Sequence, residues 1–396
     1  MLTMAVPLAP AFAILLGVAA PAAAPVQIEN CGSAEFRQEF LAGSHISLAG
    51  GIGGCGNTTP SHALVAAGDR VLPCLEAIVH DNGAAIAECP RESMRCRNWA
   101  FEIIAAIGTS RAAAFLIPIV RDSSDEDLLL HAVDALGTMR AREAIPVLHA
   151  RLESGTPRVR ALLVWSLGQL RDKEHSADLV AASDGLTPEQ LSLALSGFLV
   201  LKDPSVVPAL RRYVVALPPS ERLRRVIEQN VNEIAVVANL HAGIEQMDRG
   251  KSRRAESFFR AAINEAEKTG SDRQARMEAI FRLGDLCRRS GRLDEAETLL
   301  WRASKEWRGS PPSISKPFDI DIALALTLDA RGMSAVSADA LANIANVLAA
   351  ERPAETTGAE ARFPELRTVF KRYVPFCRTR ALGCEGSFES FFSRRS

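Results

Sequence analysis

Residues 126–155 read EDLLLHAVDALGTMRAREAIPVLHARLESG, and two apolar sets within that run decide the fold. Leu129, Val133 and Leu136 recur at the spacing of one helical face, and Ile145, Leu148 and Leu152 form a second such stripe. A glycine and a short polar stretch lie between them. Pro146 falls where a second helix begins, a place where the missing N–H costs nothing. One hairpin cannot bury both of its stripes alone, so neighbouring hairpins must stack. The expected fold class is all-α, an alpha-alpha superhelical solenoid of stacked helical hairpins.

The pattern recurs along the middle of the chain. Ala106-Ile107-Gly108, Ala135-Leu136-Gly137, Ser166-Leu167-Gly168 and Leu195-Ser196-Gly197 follow one another at intervals of 29, 31 and 29 residues. Pro118, Pro146 and Pro208 come at nearly constant distance after three of these glycines, each expected in the first turn of a second helix. Gly137 is expected to serve the turn or the close approach of the two helices.

These segments resemble the HEAT repeat family, especially its short variant known from bilin-lyase-like proteins. The resemblance rests on Arg158-Val159-Arg160-Ala161-Leu162 leading to Ser166-Leu167-Gly168, on Asp134-Ala135-Leu136-Gly137 and on Ala144-Ile145-Pro146-Val147-Leu148, within residues 60–215. It implies a curved solenoid and a protein-binding role. No residue set supports carrying over lyase chemistry.

A second repeat type follows. Gly243, Gly250, Ala255, Phe259 and Ala262 stand at relative positions 0, 7, 12, 16 and 19, and Gly284, Gly291, Ala296, Leu300 and Ala303 reproduce the same offsets. A small residue at the first position lets paired helices cross closely, and the next glycine accommodates the turn. These spacings resemble the tetratricopeptide repeat family over residues 236–308. The first unit carries an insertion around Glu267 to Asp272, and a third unit is possible from Phe318 to Ala350. The resemblance implies a groove, lined by the first helix of each unit, that grips peptides or helices of partner proteins.

The first 28 residues contain no Asp, Glu, Lys or Arg, and Leu8 to Ala20 is an apolar run leading into small residues. That is the h-region and cleavage region of a signal peptide, although its usual basic n-region is missing. The domains expected are a signal peptide over 1–24, a cysteine- and glycine-containing segment over 25–59, HEAT-like repeats over 60–217, tetratricopeptide-like repeats over 221–350, and a helical cap with a disulfide-containing tail over 351–396.

Export to the periplasm or outside the cell makes the eight cysteines disulfide candidates. Spacing favours two local pairs, Cys89 with Cys96 and Cys377 with Cys384. Cys287 sits inside a strong helical repeat and reads as a small buried side chain, which leaves one of Cys31, Cys55 or Cys74 over.

Near-balance of 46 basic and 47 acidic residues gives no nucleic-acid signature. Gly50 to Gly56 is glycine-rich but lacks the lysine and hydroxyl pair of a phosphate loop. His45, Cys55, His62 and His80 are zinc-ligand types at irregular separations with no short anchoring pair. No cofactor and no catalytic set is expected. The alternative is an exported helical enzyme with a site in residues 31–100 and the repeats as a substrate platform.

The expected function is a non-catalytic protein-binding scaffold or adaptor. Counting from Gly243 places Leu240, Ile244 and Met247 on the inner face of the second array. The matching count from Gly284 places Phe281, Asp285, Arg288 and Arg289 there. An apolar entrance beside a positively weighted patch suits an acidic or amphipathic segment of a partner protein.

Overall fold

The computed structural model of the protein describes residues 33–44, 62–80, 95–217, 221–308, 318–332, 334–350, 359, 361–379 and 384–393. Every regular element among them is helical. The proposed leader, the glycine-rich stretch 50–56, His45, Cys31, Cys55, Cys89 and the joints at 218–220 and 309–313 lie outside the described residues. The chain divides into two compact units, Met1–Ala144 and Ile145–Ser396.

In the first unit the helices are α1 (Ala34–Ser44), α2 (His62–Ala67), α3 (Leu72–His80), α4 (Arg95–Ile107), α5 (Ser110–Asp122) and α6 (Glu126–Thr138). Trp99 of α4 is fully buried and its indole N–H donates to the Phe40 carbonyl at 3.0 Å, which ties α1 to the repeats. Thr109 caps α5 by accepting from the Ala112 N–H, and its hydroxyl donates to Asp69 Oδ1 at 2.5 Å. Asp125 caps α6 through the N–H groups of Asp127 and Leu128.

Pro118 departs from the sequence reading. Gly108, at φ +64°, is itself the turn, so α5 starts at Ser110 and Pro118 lies in the helix interior. Gly137 departs too. It is buried within the last turn of α6, and the left-handed residue of that turn is Arg140, at φ 56°. Arg171 and Lys202 take the same conformation after the next two repeat glycines. The glycines at 137, 168 and 197 therefore sit in helices rather than in turns.

Asp134, on α6, carries a measurable penalty. Burial and the nearby Glu102 carboxylate raise its pKa from 3.8 to about 6. The folded state thus holds this proton more tightly than the unfolded chain. Its contribution is favourable below the unfolded value and is lost as pH rises through about 6. Asp134→Asn is expected to stabilise the unit at pH 8 by about 1–3 kcal/mol and to be nearly neutral at pH 4. Urea unfolding at the two pH values checks this; an equal effect at both would show that ionisation is not the cause.

The second unit continues with α7 (Ile145–Leu152), α8 (Pro157–Gln169), α9 (Ser176–Ala182), α10 (Pro188–Leu201) and α11 (Val207–Ala216). Pro146 and Pro208 fall in the first turns of α7 and α11, as the sequence predicts. Leu148 and Leu152 of the quoted stripe are buried and Ile145 half-buried. Thr156 and Thr187 cap α8 and α10.

The long α12 (Glu221–Asp248) packs on both α10 and α11. Lys173 reaches Glu245 at 2.5 Å, and Lys202 donates to His241 Nε2 at 2.7 Å. Burial, with the cationic Lys202, Arg171 and Lys173, pushes the His241 pKa down to about 4. The change of spacing in the sequence thus falls inside one packed body.

Beyond it come α13 (Ser252–Thr269), α14 (Arg273–Arg289), α15 (Leu293–Arg308), α16 (Phe318–Ala330) and α17 (Ser334–Ala350). Sequential neighbours pack as α12 on α13, α14 on α15 and α16 on α17. The paired offsets have a direct cause. A Cβ on Gly243 would fall 2.5 Å from the Phe259 ring, and one on Gly284 would fall 2.9 Å from Leu300. Gly250, Gly291 and Gly332 each carry the positive φ of the following turn.

The last helices among the described residues are α18 (Leu366–Thr379) and α19 (Glu385–Ser393). Phe370 packs against Phe388 and Phe391 at ring separations of 5.3 and 5.0 Å. Cys377 and Cys384 are joined in a disulfide with Cα atoms 5.5 Å apart, as their spacing suggests. Cys287 is free and buried. Cys74 and Cys96 are each disulfide-bonded, so Cys74 is not the residue left over; Cys89 lies outside the described residues.

Candidate functional site

Two surfaces of the second unit are candidate sites. The first is the face chosen from the sequence. Leu240 and Phe281 are buried, and Ile244 and Met247 are partly buried against the same apolar core. These four belong to, or pack against, the apolar core that α12, α13 and α14 share.

The polar members converge. Asp285 is 5% exposed and is held by Arg288 at 2.8 Å and Arg289 at 2.7 Å. Arg288 also pairs with Glu365, and its guanidinium lies over the Phe363 ring, 5.7 Å from the centroid. Arg289 donates to the Arg362 carbonyl at 3.1 Å. A short turn of the chain itself, Arg362-Phe363-Pro364-Glu365, therefore occupies the arginine face. Phe363 is buried there, while the Glu365 side chain is 37% exposed.

Other arginines of the second array pair with carboxylates of neighbouring helices. Arg292 pairs with Glu256 at 2.7 Å and with Glu295 at 3.1 Å, and Arg276 with Glu306 at 3.0 Å. Arg292 holds the Glu256 carboxyl below the usual range, against the opposing effect of its burial.

The second surface was not legible as a site. Trp301, Asp321, Leu324, Ala325, Leu328, Val336, Ala340, Asn343, Ile344 and Val347 line a cleft of about 400 Å³ built by α15, α16 and α17. Trp301 is 44% exposed, Val336 60% and Val347 40%. The sequence signal was weak. Trp301 follows the core residue Leu300, so its helical position points away from the α14 contact, and a lone outward aromatic marks a site only when the next hairpin places more apolar side chains beside it.

A family model described as HEAT repeats matches residues 113–188. No curated protein and no solved structure matches the chain. The match and the packing of successive helices define an all-α helical-repeat solenoid, of which residues 113–188 are similar to HEAT repeats. No described helix is long and apolar enough to cross a membrane.

Proposed function

We propose that the chain is a non-catalytic protein-binding scaffold, exported to the periplasm or the extracellular space, that grips an acidic or amphipathic segment of a partner protein. The observation that carries this reading is the cleft around Trp301. An exposed aromatic beside the exposed Val336 and Val347, over a floor that includes the buried Leu324, Leu328 and Ile344, is a surface an amphipathic helix can cover, with tryptophan as the central anchor. HEAT repeats, which commonly bind proteins, precede it. Export is supported by the apolar N-terminal run and by oxidised cysteines.

The acidic part of the reading rests on the arginine face. Arg288 and Arg289 hold an apolar-acidic turn of their own chain, so the chemistry that a partner's acidic segment would need is already arranged there. The spacing that resembles tetratricopeptide repeats places this face in the groove of the second array.

Trp301→Asp tests the cleft. The expected result is that a partner retained by the wild-type chain at micromolar affinity or better loses binding by about 30-fold or more, the ~2 kcal/mol or greater cost of a hot-spot tryptophan. Helicity should be unchanged, because the side chain is already half exposed. Retention equal to wild type would reject the cleft as the docking surface. Turnover by the chain that survives deletion of everything beyond residue 215 would instead favour an enzyme.

A further inference from the structure

A cluster outside both surfaces carries a separate inference. His149 lies on α7, one hairpin before Asp172 and His175, which stand in the turn between α8 and α9. His149 Nε2 is 2.5 Å from Asp172 Oδ2, and His175 Nδ1 is 3.0 and 3.1 Å from the two oxygens of the same carboxylate. The two imidazole rings are 4.1 Å apart. Asp172 is 4% exposed, His149 17% and His175 45%.

The next repeat supplies a built-in comparison. Asp203 occupies the position of Asp172, at the start of the same short 3-10 turn, and it caps that turn by accepting from the Ser205 N–H. Asp172 makes no side-chain cap. Its carboxylate is turned instead toward two imidazoles from two successive hairpins, and Val206 stands where the equivalent of His175 would be. Capping therefore does not explain where the Asp172 oxygens point.

We propose that His149 Nε2, His175 Nδ1 and a carboxylate oxygen of Asp172 form a binding site for a divalent transition-metal ion of the zinc class. Two imidazoles and one carboxylate suit zinc, cobalt or nickel and not the all-oxygen preference of calcium or magnesium. Bonds of about 2.0–2.2 Å to one ion set the ligand atoms roughly 3–3.5 Å apart. The three atoms already lie within 4.8 Å of one another, so the ion replaces the protons that now bridge the pairs with shifts of about an ångström. His175, on a short turn and partly in solvent, is the ligand that moves, and the open side leaves a coordination position for water. Bound there, the ion staples one hairpin to the next.

The test uses the full chain after treatment with a chelator, titrated with Zn²⁺ by calorimetry and with Co²⁺ by visible absorption. The expected result is one ion per chain, with Co²⁺ bands of nitrogen and oxygen coordination and no thiolate charge-transfer band. His175→Ala, which removes a partly exposed side chain, is expected to weaken binding by about tenfold or more. His149→Ala should do the same, and His62→Gln should leave it unchanged. Failure of the wild-type chain to bind either ion, a thiolate band, or wild-type affinity in the His149→Ala/His175→Ala double variant would overturn the site.

Discussion

Gly168→Ala is expected to destabilise the second unit by about 2–4 kcal/mol, although alanine ordinarily improves a helix by about 0.5–1 kcal/mol over glycine. The added methyl would stand 2.5 Å from the Gly197 carbonyl carbon and 2.6 Å from its Cα, and one added to Gly197 would stand 2.6 Å from the Trp165 Cα. Both clashes are with backbone. No side chain can rotate away, so α8 and α10 must separate, and the buried Leu163, Leu167, Leu195 and Phe198 lose packing with them. Gly386→Ala is the control, because nothing lies within 4 Å of the added carbon and the gain in helix propensity is unopposed. Denaturant unfolding of the two variants should move in opposite directions. Stacked repeats share interfaces, so hydrogen exchange should quicken in α10 and in the adjacent α12 as well as at the substitution. An unchanged or raised midpoint for Gly168→Ala would show that the helices do not meet at these glycines.

That crossing explains what the sequence could and could not convey. Periodicity placed Leu129, Val133, Leu136, Leu148 and Leu152 in the core, because burial of a helical stripe is written locally. The repeat glycines at 137, 168 and 197 were visible as a spacing. Their role was not, since a glycine needed for contact and one needed for a turn look alike in one dimension. The left-handed position went to Arg140, Arg171 and Lys202, residues with no local signal for it. Pro118 was misplaced for the same reason. Its distance from Gly108 matches the other prolines, yet Thr109 starts the helix early and leaves the proline inside.

The candidate sites were less legible because each joins distant segments. Arg288 and Arg289 were identified from repeat register, but their partners Phe363 and Glu365 lie beyond the third hairpin, and no spacing rule links them. The Trp301 cleft draws on three helices. The His149, Asp172 and His175 cluster shows only the short Asp-x-x-His pair in sequence; its third member arrives from the preceding hairpin. Charge behaved similarly: the fifteen basic side chains between Arg249 and Arg308 carry no sign of their partners in one dimension, and in the structure Arg260, Arg276, Arg292 and Arg302 pair with Glu256, Glu295 and Glu306.

Detaching the chain's own turn from the arginine face should raise its affinity for an acidic peptide. Under the proposed function the contact of Phe363 and Glu365 with Arg288 competes in cis with any partner segment of the same chemistry. Reversing Arg288 is a poor probe of this, because Arg288 and Asp285 are both largely buried, and leaving Asp285 beside a second carboxylate would cost about 3–5 kcal/mol of local stability. Glu365→Lys is the cleaner change. It leaves α14 intact, places a repelling charge where the attracting one was, and affects a side chain already partly in solvent. Each 1.4 kcal/mol that the internal contact contributes lowers the apparent affinity for a competing peptide about tenfold. A labelled peptide copying residues 359–367 with Arg362→Ala and Arg367→Ala, which leaves two glutamates and no basic side chain, is therefore expected to bind the Glu365→Lys chain at least about tenfold more tightly than the wild type. Adding Arg289→Gln should reverse much of the gain, since Arg289 is half exposed and also donates to the Arg362 carbonyl of the turn, and the neutral side chain sets no second carboxylate beside Asp285. Fluorescence anisotropy at low and moderate salt reads both effects, and circular dichroism on the same samples reports the fold. Equal affinity in the wild-type and Glu365→Lys chains would mean that the turn at 362–365 is ordinary packing and that the arginine face does not select acidic segments.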